Sequence, residues 1–178
     1  MTTKGVEQAN TVARKIKDSG LAFDAIYSSP LRRAYRTAEI ISEILGVGKP
    51  EVMPELIERD FGIMTGQLQS SIESACSPDI LKTETITYFL KPEGAETFPQ
   101  LLVRARSLLD KVMERHADGS VLLVTHGDLG KMIYAAYYAF DWLDILKMFH
   151  FGNSELLELS GTSKPEDTHV FKIQQHNL

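Results

Sequence analysis

SVLLVTHGDLGK, residues 120–131, is the stretch that decides the fold of this chain. Its four apolar residues, 121–124, predict a strand that is buried on both faces. A helical pattern opens at Leu129, so His126 and Gly127 lie between a strand's carboxyl end and a helix N-terminus. Ligands of open α/β sheets bind at such strand ends, where helix N–H groups attract anions. His126 is therefore a candidate site residue. A histidine that only caps the helix or bonds within a loop is an equal alternative at this point.

The composition is that of an ordinary globular protein, with 43% hydrophobic and 24% charged residues among 178. This length fits one domain, residues 1–178. The net charge of −5 argues against nucleic acid or an anionic membrane as the main partner. Cys76 is the single cysteine and cannot form an intrachain disulfide, which favours a reducing cytoplasm. No apolar run approaches the ~20 residues of a membrane span.

Strand and helix patterns alternate through much of the chain. Apolar periodicity predicts helices over 4–18, 31–45, 98–112, 129–140 and 141–150, and strands over 22–27, 51–53, 121–124, 155–159 and 169–173. Residues 67–92 have the weakest pattern, and we predict that they form a helical insert or cap over the sheet. The alternation predicts an α/β protein, a three-layer α/β/α sandwich with a mostly parallel sheet.

Three arginines follow the first predicted strand, in the segment SSPLRRAYRTA of residues 28–38. Arg32, Arg33 and Arg36 occupy the first helical turns, where acidic residues would suit the helix dipole better. Guanidinium groups beside free helix N–H groups suit a dianionic phosphate, and Ser28 at the strand end is a candidate substrate ligand. Arg32 and Arg36 fit a solvated basic face equally well, whereas Arg33 lies nearer the apolar stripe.

Carboxyl groups cluster in two further segments. In PELIERDFG, residues 54–62, a carboxyl group could act as a general acid if burial or a nearby phosphate raised its pKa. From spacing alone, an ordinary surface loop is the better interpretation of this segment. The acidic residues of PEGAET, residues 92–97, are explained by capping of the long helix that follows.

Four of these segments together resemble the histidine phosphatase superfamily, which includes the cofactor-dependent phosphoglycerate mutases. SSPLRRAYRTAEII, ELIERDFGIMTG, PEGAETFPQLLVRA and VLLVTHGDLGK occur in that family's order and spacing, and TTKGVEQA resembles the helix after its first catalytic loop. The resemblance implies that His126 is the second catalytic histidine, that Arg33 clamps the phosphate, and that Glu58 is the proton donor. It also implies that backbone N–H groups near Gly127 bind phosphate and that Asn153 could line the pocket.

The chain departs from the family at one motif. The family begins with a strand ending in Arg-His-Gly, whose histidine becomes phosphorylated, and no Arg-His-Gly occurs in these 178 residues. Arg115-His116-Ala117 lacks the glycine and follows a long helix. We expect this chain to lack phosphatase activity on its own. We also expect that the natural, full-length protein carries the motif and that this sequence has lost that front through truncation. A strand missing from the sheet would leave an apolar slot, which we expect a second chain to fill or the isolated chain to tolerate poorly.

The resemblance implies a phosphomonoester phosphatase or mutase that acts through phosphohistidine without cofactor or metal. A non-catalytic phosphate-binding or partner-binding module is the alternative. A metal phosphatase that uses His126 and Asp128 is a weak alternative, because the other histidines do not have the spacing of metal ligands. A cysteine phosphatase is weaker, since Lys82 stands where its loop needs arginine. The expected partner is a small phosphorylated substrate, with a homo-oligomer possible through the sheet slot.

Overall fold

The computed structural model describes residues 1–171. Its strands are β1 (Ala25–Ser28), β2 (Glu51–Val52), β3 (Ile80–Lys82), β4 (Thr87–Phe89), β5 (Val121–Val124), β6 (Leu156–Leu157) and β7 (His169–Phe171). Its helices are α1 (Thr3–Ser19), α2 (Arg32–Leu45), α3 (Ile72–Cys76), α4 (Phe98–Arg115), α5 (Gly127–Tyr138) and α6 (Trp142–Met148). Four short 3₁₀ turns connect them within the described residues. These bounds confirm the predicted helices and the strands of the sheet to within a few residues.

A three-stranded parallel sheet, in the order β2-β1-β5, lies between two helical layers. Ile26 and Leu122 pack with the apolar faces of α1 and α2 on one side. Tyr27 and Leu123, whose side chains alternate to the other face, pack with α4 and α5. The sheet is thus covered on both faces, as parallel sheets usually are. This confirms the predicted three-layer α/β/α architecture with a parallel sheet.

The helix ends follow from local sequence. Thr2 caps α1 by accepting a hydrogen bond from the Gly5 N–H group at 3.2 Å. Helix α4 begins with a capping box, in which Thr97 and Gln100 each bind the other's backbone N–H group. These caps fix where the amphipathic helices begin and hence which apolar residues face the sheet.

Strand β5 has a free edge. It pairs with β1 through the register Ala25–Val121 to Ser28–Val124, and no other strand of residues 1–171 pairs with it. The hairpin of β6 and β7 forms its own antiparallel sheet, although Leu156 and Phe171 pack against the same apolar cluster as Val124. An unpaired strand edge of this kind is a template for another strand. The structure therefore leaves the sheet edge open, and what covers it stays a prediction.

The segment 67–92 differs from the predicted helical insert. It holds one short helix, α3, followed by an antiparallel hairpin of β3 and β4 in which Ile80 lies opposite Phe89. The run TETITYF, residues 83–89, is rich in β-branched and aromatic residues, which favour strands over helices. Ile72, Cys76 and Met64 form a small apolar cluster that Phe89 covers. The helical prediction was wrong for most of this segment.

The last two predicted strands form and lie outside the main sheet, and β6 is shorter than the predicted strand 155–159. Ile173, the last residue of the predicted strand 169–173, lies outside the described residues. None of the helices in residues 1–171 is both long enough and apolar enough to cross a lipid bilayer.

Candidate active site

The N-terminus of α5 faces open space at the carboxyl end of β5. His126 precedes the helix in an extended conformation, and its carbonyl accepts the Gly130 N–H group at 2.8 Å. A Cβ atom added to Gly127 would meet no neighbouring atom within 4 Å. The first N–H groups of a helix lack intrahelical acceptors and carry partial positive charge. The backbone at Gly127 is therefore uncrowded, and the positive end of the helix dipole favours an anion there.

The imidazole of His126 is hydrogen-bonded to Ser29, with 2.8 Å between Nε2 and the hydroxyl oxygen. Ser29 is fully buried, and its N–H group donates to the Val124 carbonyl at 3.0 Å. Burial, reinforced by the charge of Arg33, lowers the pKa of His126 to about 4. The ring is therefore neutral at pH 7 and can donate one hydrogen bond to a ligand. The His126 side chain makes no capping bond to α5. It binds Ser29 instead, so His126 is not a residue that only caps the helix.

Arg33 is exposed near the start of α2, and its charge reaches His126. It is the second cause, after burial, of that histidine's lowered pKa. The two residues follow neighbouring parallel strands, β1 and β5, and a phosphate site that they share stays a prediction. Arg36 is paired on the helix surface with Glu39 at 3.3 Å and Glu43 at 3.4 Å. Arg33 takes part in neither of these two ion pairs.

Glu58 lies at the same helix N-terminus as His126. Its Oε1 atom accepts the Leu129 N–H group at 3.2 Å and the Arg59 N–H group at 2.9 Å. Burial raises the pKa of this carboxyl group, and the charge of Asp128 raises it further. A carboxyl group with a raised pKa can hold a proton for transfer near neutral pH. An ordinary surface loop therefore does not describe Glu58, whose carboxyl group reaches the helix start.

A buried ion pair that the sequence patterns did not predict holds Glu58 near the N-terminus of α5. The Arg59 Nε atom lies 2.9 Å from Asp128 Oδ2, and the Arg59 side chain is only 1% exposed. Its guanidinium carbon lies 4.2 Å and 4.4 Å from the ring centres of Phe98 and Phe89. The pair joins the segment that carries Glu58 to the helix that follows His126. The sequence feature that could have located this pair is that Arg59 directly follows Glu58 and Asp128 directly follows Gly127, two of the candidate site residues.

A second buried cation, Lys131, was also missed. The Lys131 side chain is completely buried on α5 and donates a short hydrogen bond to the Tyr88 hydroxyl. Its Nζ atom also lies 3.2 Å from His150 Nδ1. Burial lowers the pKa of Lys131 to about 8, although Asp128 and Glu58 favour its charged form. No sequence signal located it, because a lysine within a helical apolar stretch is normally exposed.

The remaining predicted site residues have different surroundings. Gly127 opens α5 beside His126, as the resemblance implies. Ser28 is completely buried, and its hydroxyl donates to the Ser29 carbonyl at 3.0 Å, so Ser29 rather than Ser28 reaches the site. Asn153 is exposed in a turn next to Gly152, which borders the neighbouring pocket. A substrate contact by Asn153 stays a prediction.

A pocket of about 800 Å³ adjoins this helix end, bordered by Arg59, Asp128, Tyr88 and His150. Arg59 and Asp128 each follow a site residue, Glu58 and Gly127, in the sequence. The hairpin of β3 and β4 forms much of the far wall. The N-terminus of α5, with Glu58 and His126 beside it, therefore adjoins a larger cavity.

Curated proteins with similar sequences are phosphatases and mutases. The chain is 29% identical over 154 residues to phosphoserine phosphatase 1 of Hydrogenobacter thermophilus, which covers 85% of this chain and 69% of that protein. It is 30% identical over 132 residues to the 2,3-bisphosphoglycerate-dependent phosphoglycerate mutase of Parvibaculum lavamentivorans, covering 72% of this chain and 63% of that one. The chain thus spans under two thirds of the mutase's length.

Solved structures share the fold. A mycobacterial glucosyl-3-phosphoglycerate phosphatase complexed with VO3 aligns with a TM-score of 0.75 at 24% identity, over 94% of this chain and 82% of that one. A mutant phosphoserine phosphatase from Entamoeba histolytica, in complex with phosphoserine, aligns with a TM-score of 0.63 at 23% identity, over 87% and 75%. At this identity the likeness concerns the fold alone.

The family model of the histidine phosphatase superfamily (branch 1) matches residues 1–172, nearly the whole chain. The order of the motifs, the three-layer fold and the match of the family model all indicate the same family. The chain belongs to the histidine phosphatase superfamily.

Proposed function

We propose that this protein transfers the phosphoryl group of a phosphomonoester, as a phosphatase, through a phosphohistidine and without a metal. One observation carries the proposal: Glu58 and His126 meet at the open N-terminus of α5, where Leu129 N–H binds the carboxylate. A proton donor and an imidazole beside the positive end of a helix dipole are parts that phosphoryl transfer uses. The sequence similarity to phosphoserine phosphatase and phosphoglycerate mutase supports the same class.

The phosphate would lie against the first turn of α5, between Arg33 and His126. Arg33 supplies a permanent charge, and guanidinium groups bind phosphate oxygens in pairs. Neutral His126 donates a hydrogen bond to a phosphate oxygen. A bound dianion also favours the protonated ring, which would draw a proton to His126 as the phosphate binds. These groups stabilise the charge of the equatorial oxygens during transfer.

Glu58 would serve as the acid and then as the base. In the first step a histidine nitrogen forms a bond to phosphorus, the ester P–O bond breaks, and the leaving oxygen takes the Glu58 proton. In the second step water attacks phosphorus, the P–N bond breaks, and the Glu58 carboxylate accepts the water's proton as inorganic phosphate forms. The raised pKa of Glu58 supports the first role, because burial and the charge of Asp128 favour the protonated form of this carboxyl group.

The nucleophilic histidine is the part that these 178 residues do not contain, because they include no Arg-His-Gly segment. We propose that a further strand carrying it pairs with the free edge of β5. Strand addition there would place its carboxyl end beside His126, since parallel neighbours end at the same side of a sheet. The chain alone should then bind phosphate without turning over an ester. A second copy could cover the same edge, which makes a homo-oligomer the alternative occupant.

The absent nucleophile also favours a second candidate, a module that binds phosphate or a phosphorylated partner without catalysis. Such a module would use Arg33 and His126 but would have no use for a carboxyl group with a raised pKa at Glu58. We therefore rank it below the enzyme. A cytoplasmic location stays a prediction that rests on the single cysteine.

The test compares this chain with one extended by the in-frame codons upstream of Met1. We expect the chain as given to leave p-nitrophenyl phosphate intact, and the extended chain to hydrolyse it in the presence of EDTA. Glu58→Gln in the extended chain should lower kcat by about 10²–10⁴. An extended chain that binds phosphate but remains inactive would favour the non-catalytic module. EDTA-sensitive turnover by the chain as given would contradict the metal-free proposal.

A further inference from the structure

The pocket beside Glu58 has a chemical character that concerns the alcohol part of the substrate. If phosphate binds at the start of α5, the group esterified to it extends past Glu58 towards Arg59 and Asp128, which border this cavity. The volume of about 800 Å³ lies in the upper range of small-molecule pockets. A serine- or glycerate-sized group would leave most of it empty.

The cations of this pocket are not free to bind a second anion. Arg59 is 1% exposed; its Nε atom binds Asp128, and Phe89 and Phe98 flank the guanidinium plane. Lys131 is fully buried behind Tyr88, whose hydroxyl accepts its hydrogen bond and whose ring centre lies 4.5 Å from Nζ. Both charges are thus shielded from a ligand in the cavity.

His150 is the third basic group, and it stands in the pocket wall as a neutral ring. Its Nδ1 atom lies 3.2 Å from Lys131 Nζ, so a protonated Lys131 makes Nδ1 an acceptor and leaves the proton on Nε2. Burial and the charge of Lys131 both lower the pKa of His150. The partly exposed carboxylate of Asp128 adds negative charge to the same wall. A substrate carboxylate would therefore find repulsion here and, among the described lining residues, no unpaired cation.

The rest of the lining is apolar or uncharged. Phe61, Met64, Ile72 and Phe89 provide carbon surface, and Leu68, whose exposed fraction is 75%, stands at the mouth. Amide and hydroxyl groups from the segments 67–69 and 85–88 provide hydrogen-bonding groups without charge. Ligand pockets with this mixture hold aromatic or ring-shaped groups that have a few polar substituents.

We infer that the protein takes phosphomonoesters of uncharged, ring-containing alcohols, of about the size of a naphthol or a nucleoside, in preference to phosphorylated hydroxy acids or amino acids. The inference rests on the proposed function, because it places the phosphate at α5. It also separates this chain from the curated relatives, whose names refer to phosphoserine and phosphoglycerate.

Isothermal titration of this chain with inorganic phosphate, O-phosphoserine and 1-naphthyl phosphate tests the inference. We expect 1-naphthyl phosphate to bind at least 10-fold more tightly than either of the others, with phosphoserine no tighter than phosphate. Leu68→Ala should reduce the naphthyl phosphate affinity by about 3- to 10-fold and leave phosphate binding unchanged. Val103→Ala, at an equally exposed apolar residue of α4 away from the pocket, is the matched control and should change neither.

The outcomes separate the two proposals. Phosphoserine binding more tightly than 1-naphthyl phosphate, with normal phosphate binding, would overturn the inference and leave the proposed function intact. Equal effects of Leu68→Ala and Val103→Ala would overturn the assignment of the ring to this pocket. Failure of all three phosphates to bind would overturn the proposed function, and the inference with it.

Discussion

The His126 Nε2 atom lies 2.8 Å from the Ser29 hydroxyl oxygen, and this bond joins the ends of two neighbouring parallel strands. Ser29 follows β1 and His126 follows β5, and the Ser29 N–H group also binds the Val124 carbonyl. The imidazole is therefore held in place before any ligand arrives. A preorganised donor of this kind costs little reorganisation when charge develops on a phosphoryl group.

Ser29→Ala should loosen His126, and Ser28→Ala should not. Removing the Ser29 hydroxyl leaves a nitrogen of the half-buried His126 ring and the Leu31 N–H group without their partner, which should destabilise the protein by about 1–2 kcal/mol. The Ser28 hydroxyl instead binds a backbone carbonyl. Ring ¹⁵N shifts of His126 should therefore change with Ser29→Ala only. Unchanged shifts in the Ser29 variant would contradict the bond.

The low pKa of His126 predicts a pH dependence of stability. With a pKa of about 4 in the folded protein and about 6.5 unfolded, the unfolded chain binds more protons between these pH values. The free energy of unfolding should therefore rise from pH 4 to pH 6.5. The full difference corresponds to about 3 kcal/mol, and screening by solvent of this half-buried ring reduces it to roughly 1–2 kcal/mol.

Urea unfolding of the wild type and His126→Gln over this range measures the effect. The difference between the two curves isolates His126 from the carboxyl groups that titrate in the same range. We expect the wild type to gain more stability than the variant as the pH rises. A constant difference across the range would show that His126 has an ordinary pKa.

Gly62 anchors the loop between Glu58 and the pocket. Its φ of +52° is in the left-handed region, and an added Cβ would lie 2.2 Å from the Glu93 carbonyl oxygen and 2.5 Å from the Ala95 nitrogen. Gly62→Ala should cost about 3–5 kcal/mol of unfolding free energy, because backbone must move. Gly66→Ala, also left-handed but in open space, should cost only about 1–2 kcal/mol. Equal costs in denaturant titrations would refute the close approach.

Lys131→Met should raise the pKa of His150. The charge of Lys131 is the second cause, after burial, of that histidine's lowered pKa, so its removal should shift the pKa upwards towards 6.5. Methionine has a similar length and keeps the buried space filled. NMR titration of the His150 Cε1 proton reports the shift, with Lys111→Met, an exposed residue paired with Glu55, as the control. An unchanged His150 titration in a folded Lys131→Met protein would rule out the contact.

Amphipathic and apolar runs made the main architecture predictable. The helices that became α1, α2 and α4, and the strand that became β5, follow from local periodicity, which depends only on neighbours along the chain. The positions of His126 and Arg33 just past strand ends of a parallel sheet were predictable for the same reason, and their role in the site stays a prediction. The raised pKa of Glu58 was not predictable from local sequence, since it depends on burial and on Asp128, which is distant along the chain.

Long-range contacts explain what the sequence could not predict. Lys131 is buried by Tyr88, which lies 43 residues away, and by His150, which lies 19 residues away. The hairpin in segment 67–92 is held by Phe89 against Met64 and Ile72, which no local pattern couples. Ser29, not Ser28, faces the site because side chains alternate along an extended segment, and the boundary of β1 decides which one points outward.

Phosphate binding by this chain tests the central claim most directly, because the claim places a phosphoryl group between Arg33, His126 and the start of α5. Isothermal titration with inorganic phosphate should give saturable binding to one site, which weakens by about 10- to 100-fold in Arg33→Ala, the loss expected for a charge-assisted hydrogen bond. Arg32→Ala, the exposed neighbour in the same helical turn, should retain the wild-type affinity. No saturable binding, or equal losses in the two arginine variants, would contradict the account.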